Sequence, residues 1–154
     1  MIKGFKVRLF PNEVQTRLLW KHVNVSRFVW NHALAEQLNR YKNGEKYLNK
    51  YGMRSIFIEL KQSKEYAWLK EVSAHTIGNI CIDLDKAYTS FFTKIGGKPK
   101  FKKKNKCKNA FPVRCETVYF INNCVNIEKV GKSNIKVIKN CHKVGILVNS
   151  LTHE

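Results

Sequence analysis

Residues 4–10 read Gly-Phe-Lys-Val-Arg-Leu-Phe, alternating apolar with polar until Pro11 stops the run. That period of two predicts a strand with Phe5, Val7 and Leu9 facing a core. No second strand pattern follows before residue 109. A strand without a partner leaves its backbone groups unpaired, so this one has to reach across the chain. The available partners are the short β-type runs Ala110–Cys115, Thr117–Ile121, Cys124–Ile127, Ile135–Ile138 and Val144–Val148. The expected class is therefore α+β: a small β-barrel formed by the N-terminal strand and the C-terminal strands, interrupted by a four-helix insertion. The expected division is 1–11 for the first strand, 12–97 for the helical insertion, 98–108 for a lysine-rich loop and 109–154 for the rest of the β-module. At 154 residues the chain suffices for one domain or two small ones.

Within the insertion, Asn12 can cap a helix, with Gln15 as its capping-box partner. The stripe Val14, Leu18, Leu19 and Val23 predicts a helix over 13–23. Phe28, Val29, Leu34, Leu38 and Tyr41 predict a second over about 26–43, ended by Gly44. Met53, Ile56, Phe57 and Leu60 predict a third over 52–63, and Trp68 and Leu69 anchor the connection after it. The most regular stripe, Ile77, Ile80, Cys81, Leu84, Ala87, Tyr88, Phe91 and Ile95, predicts a helix over 74–95 between Ser73 as cap and Gly96 as stop. Among the later strands, Asn122-Asn123 suits a two-residue hairpin turn, and Val130–Asn134 reads as the next turn.

Charge points to a partner. The chain holds 29 Lys+Arg against 11 Asp+Glu, a net of +18 with pI about 9.9, while 44% of it is hydrophobic. That is enough apolar material for a core, and a domain so basic is a candidate polyanion binder. The excess is uneven: residues 1–97 carry a net +8, and the 57 residues 98–154 carry +10. Its peak is 98–108, where seven of eleven residues are lysine. Adjacent like charges disfavour a packed helix there. Lysine is a flexible point charge suited to phosphate contacts and not to reading bases. Lys98, Lys100, Lys102, Lys103, Lys104 and Lys106 are the candidate phosphate ligands. Phe101 is a stacking or packing anchor among them, and Pro99 stiffens the run. Phe28-Val29-Trp30-Asn31-His32 adds further side chains able to stack or hydrogen-bond.

Other chemistries find no support. No apolar run is long enough to cross a bilayer. The opening residues lack the apolar stretch of a secretion signal, so the expected compartment is cytoplasmic. The five cysteines, at 81, 107, 115, 124 and 141, have neither paired spacing nor a CxxC motif, which argues against disulfides and structural zinc. Cys141-His142 has no second pair. Asp83 and Asp85, two residues apart on a helix, face different ways. Beyond Asp85 the only acids are Glu116, Glu128 and Glu154, too few for a hydrolytic metal centre. Gly131-Lys132-Ser133 lacks the earlier glycine of a phosphate loop, since position 126 is Asn.

Four ordered motifs resemble the TnpB (OrfB) proteins of bacterial insertion sequences. They are Lys6-Val7-Arg8-Leu9-Phe10-Pro11; Arg27-Phe28-Val29-Trp30-Asn31-His32; Trp68-Leu69-Lys70-Glu71-Val72-Ser73 continuing through Leu84-Asp85-Lys86-Ala87-Tyr88 to Phe91-Phe92; and Gly97-Lys98-Pro99-Lys100-Phe101-Lys102. The resemblance implies a wedge-type β-barrel interrupted by a helical recognition insertion. It also implies a function, because the family comprises RNA-guided DNA endonucleases. Their N-terminal half grips the guide RNA and the guide–target duplex and reads a short target-adjacent DNA motif. The implied partners are guide RNA, target DNA and a full-length relative. Arg27, Trp30 and Asn31 fall in the second motif. Gly78 stands where the family usually has Gln, which leaves His75 and Asn79 as neighbouring candidates for the DNA-motif contact. The family's RuvC-like acids and zinc-binding cysteines lie downstream of the matched region, so no catalytic residue, cofactor or metal is expected here. Residues 140–154 diverge from the family. The same residues also fit a stand-alone nuclease-dead regulator or the remnant of a decayed insertion sequence.

Overall fold

The computed structural model describes residues 5–140 and 146–147. Three α-helices stand beside an open antiparallel sheet. The helices are α1 (Glu13–Lys42), α2 (Lys50–Leu60) and α3 (Ala74–Phe92), with a 3₁₀ turn at Ala67–Glu71. The strands are β1 (Phe5–Phe10), β2 (Ala110–Phe111), β3 (Val118–Ile121), β4 (Cys124–Ile127), β5 (Gly131–Asn140) and β6 (Ile146–Leu147).

The orphan strand does cross the chain. β1 pairs antiparallel with β5, Leu9 opposite Ile135 and Val7 opposite Val137, and the sheet order is β1-β5-β4-β3. β2 and β6 form a separate two-stranded ladder. The expected closed barrel is corrected to an open sheet. Closure would require β3 to pair with β1, and among the described residues these two strands stand at opposite edges of the sheet. The sheet buries one face by laying it on α1. Val125 and Ile127 of β4 alternate inward with Val130 and meet Leu19 and Val23 of α1 and Phe111. Asn122, at φ 52°, makes the β3–β4 hairpin turn with Asn123 as expected. The next turn falls at 128–130, earlier than expected. Lys129 and Gly131 take positive φ there, and β5 begins at Gly131. Cys141-His142 and most of the Val144–Val148 run lie outside the described residues.

The expected four helices are three, because 13–23 and 26–43 are one continuous helix of 30 residues. No Gly or Pro interrupts the chain between them. What changes near residue 24 is the partner: Leu19 and Val23 face the sheet, whereas Val25, Val29, Ala33 and Leu34 face α2 and α3. Asn12 starts α1 with a full capping box, its side chain accepting from the Gln15 N–H at 2.8 Å. Gln15 also donates to the Lys132 carbonyl at 2.6 Å, tying the helix start to β5. Gly44, at φ +70°, follows the helix end where a C-terminal cap was expected. α3 is capped by Ser73, but it ends at Phe92 and not at residue 95. Lys94 turns into the left-handed region at φ 59°, and Ile95, expected in the apolar stripe, is 85% exposed.

One buried polar joint fastens the two halves. His22 of α1 lies 2.8 Å from the Leu18 carbonyl through Nδ1, so Nδ1 carries the proton. Nε2 is then free to accept the Ser73 N–H, a long bond at 3.4 Å, and the Ser73 hydroxyl donates to Glu128 at 2.8 Å. Burial pushes the His22 pKa down, against smaller upward pulls from the Leu18 carbonyl and Glu128. A depressed histidine is neutral when folded and takes up a proton more readily when unfolded. Its contribution is therefore present above the unfolded pKa of about 6.5 and is lost as pH falls below it. The urea midpoint is expected to drop between pH 7 and 5, and H22Q is expected to flatten that drop.

Candidate nucleic-acid interface

The lysine segment is attached to α1 through its backbone. The Trp30 indole N–H donates to the Lys100 carbonyl at 2.9 Å. The Asn31 carboxamide accepts the Lys102 N–H at 2.8 Å and donates to the Lys102 carbonyl at 3.0 Å. These bonds span about seventy residues of sequence. The structure thus brings Trp30 and Asn31 together with the lysine run, and their polar groups are engaged inside the chain.

The lysines are not equivalent. Lys98, Lys100, Lys103, Lys104 and Lys106 are exposed, as is Phe101 at 49%. Lys102 is half-buried, its ammonium 4.0 Å from the centroid of the Trp30 ring. Burial lowers its pKa below the ordinary lysine value, and the charge of Asp83 on α3 pulls the other way. After Lys102 the chain turns, with the N–H groups of Lys106 and Cys107 both donating to the Lys103 carbonyl at 3.1 Å. Arg27 lies one helical turn beyond Asn24 and donates to its side chain at 2.6 Å.

His75 and Asn79 are placed elsewhere. One turn apart on α3, they line a groove of about 290 Å³ between α2 and α3. Lys50, Tyr51, Arg54 and Arg114 line it too. These four were missed by sequence reasoning. Lys50 and Arg54 stand one turn apart on α2, a spacing that could have flagged them. Arg114 comes from the β-module, and no local pattern joins it to the others. Gly78 lies in the groove. A Cβ built there would meet the Arg54 guanidinium at 3.9 Å, an ordinary contact, so the position has room for a side chain. Glycine at this mid-helix site is about 1 kcal/mol less favourable than alanine.

Residues 1–46 match the family model described as a helix-turn-helix domain, HTH_OrfB_IS605. In this chain those residues include β1 and the whole of the unbroken α1, so the description does not name the local geometry. Over 103 residues the chain is 34% identical to InsQ of Escherichia coli (strain K12), which is named as a candidate RNA-guided DNA endonuclease. A protein of Streptomyces pristinaespiralis with the same designation is 26% identical over 106 residues. The matches cover 67% and 69% of this chain but 26% of each relative, so the chain spans about a quarter of the length of the curated relatives it matches. No helix among the described residues is long and apolar enough to cross a membrane. With the four motifs and this fold, the comparisons make the chain a member of the TnpB (OrfB) family, matching its N-terminal region.

Proposed function

We propose that this chain is the nucleic-acid-gripping portion of a TnpB-like RNA-guided DNA endonuclease, binding guide RNA and target-adjacent DNA while supplying no catalytic residue itself. The observation that carries this reading is that six of the seven lysines of 98–108 are exposed on a segment anchored to α1. Such a row is matched to the spaced phosphates of a polynucleotide backbone and gives affinity without base reading. Lys98, Lys100, Lys103, Lys104 and Lys106 are the phosphate ligands, and Phe101 offers a ring for stacking. The groove lined by His75, Asn79, Arg54, Lys50 and Arg114 takes the DNA adjacent to the target, with Asn79 able to meet a base edge and the cations the flanking phosphates. Arg27 adds positive charge beside the anchor. The partners are guide RNA and target DNA, with a full-length relative a further one, and the compartment is the cytoplasm.

Binding of purified full chain to labelled RNA hairpins and to single- and double-stranded DNA, measured across salt concentrations, tests the reading. Sequencing RNA that co-purifies with the chain identifies its guide. Sub-micromolar binding with a steep salt dependence is expected, and no cleavage with Mg²⁺ or Mn²⁺. Absence of binding to every nucleic acid at 50 mM salt would refute the reading.

A further inference from the structure

We propose that Trp30 and Asn31 are positioning residues that latch the lysine segment onto α1, and that Lys102 is the tongue of this latch and not a phosphate ligand. A run of seven lysines repels itself and has little apolar surface to hold it down. The Asn31 carboxamide offers Lys102 the donor and acceptor that a neighbouring strand would offer, and it satisfies both backbone groups of that residue. Its neighbour Trp30 holds the Lys100 carbonyl. Two adjacent α1 residues thus hold Lys100 and Lys102, on either side of Phe101. The Lys102 ammonium closes the grip by resting on the face of the ring whose N–H holds Lys100. The consequence for binding rests on the function proposed above: a latched row meets phosphates already ordered, whereas a loose one must be ordered on binding.

Each of the two Asn31 hydrogen bonds contributes about 1 kcal/mol, so losing both loosens the latch by about tenfold or more. Affinity follows the latched fraction. The full chain and its N31A, W30F, K102Q and K103Q variants are compared by two measurements. The first is the rate of trypsin cleavage within 98–108 without nucleic acid, for the wild type, N31A and W30F. N31A is expected to speed it about tenfold. W30F, which keeps an aromatic ring at this position but loses the N–H to Lys100 and part of the indole, is expected to speed it less. The second is the salt dependence of binding to a labelled 20-base-pair DNA duplex. N31A is expected to weaken binding several-fold with the slope unchanged, since no phosphate ligand is lost. K103Q is expected to flatten the slope by about 0.7–0.9, and K102Q to leave it unaltered. Unchanged cleavage in both N31A and W30F would overturn the latch, and so would a K102Q slope that falls as far as that of K103Q. Should the wild-type chain bind no nucleic acid, the functional reading fails, while the proteolysis comparison still decides the latch.

Discussion

Replacing Lys103, Lys104 and Lys106 together with glutamine is expected to weaken binding to nucleic acid about a hundredfold near 0.15 M salt, and to flatten the plot of log affinity against log salt by about 2–3. Both numbers have one origin. Each lysine that neutralises a phosphate releases condensed counterions, and the entropy of that release shrinks as bulk salt rises. The three side chains are exposed, so removing their charge costs the fold little. Unchanged thermal melting should therefore accompany the loss of affinity. The measurement is a titration of labelled RNA and DNA at several salt concentrations. A triple variant with the wild-type slope would move the polyanion site to the groove lined by Lys50, Arg54 and Arg114.

Legibility followed the range of the interaction. Capping by Asn12 and Ser73, the end near Gly44 and the turn at Asn122 are local, and each was readable within a few residues. The pairing of β1 with β5 is distant in sequence but was forced, because an orphan strand has few places to go. α1 was misread as two helices because its apolar stripe changes partner near residue 24. A drift in the buried face looks like a break when one helix serves two cores. Barrel closure was not readable, since strand count does not tell whether the two edges meet. The site shows the same division. The lysine run announces charge, but nothing in it marks Lys102 as the one turned inward onto Trp30. The groove around Gly78 draws residues from α2, α3 and the β-module, and only the folded chain brings them together.

Phe57→Ala is expected to cost about 3–5 kcal/mol, a large part of the 5–15 kcal/mol that holds a typical domain together. Phe57 is 1% exposed and is among the largest side chains buried in the helical core, where Val29, Leu34, Met53, Ile77 and Leu84 cluster with it. The His32 ring stands edge-on to it at 5.7 Å. Truncation removes the transfer free energy of a whole ring and leaves a cavity that three helices can only partly close. The melting temperature should fall by about 10–15 °C for a chain of this size. The loss should also spread beyond the helices. α1 packs through its first half on the sheet and through its second half on α2 and α3, and His22 and Ser73 stitch the same boundary. Trp20 packs against the sheet-side core, and Trp30 and Trp68 against the helical core. Fluorescence from variants retaining Trp20 alone, or Trp68 alone, should report one shared urea transition that Phe57→Ala moves equally for both. If the Trp20 transition stays in place while that of Trp68 shifts, α1 does not couple the cores. The lysine segment, held by residues 30 and 31 on the helical side of that boundary, would then keep or lose its order with the helices alone.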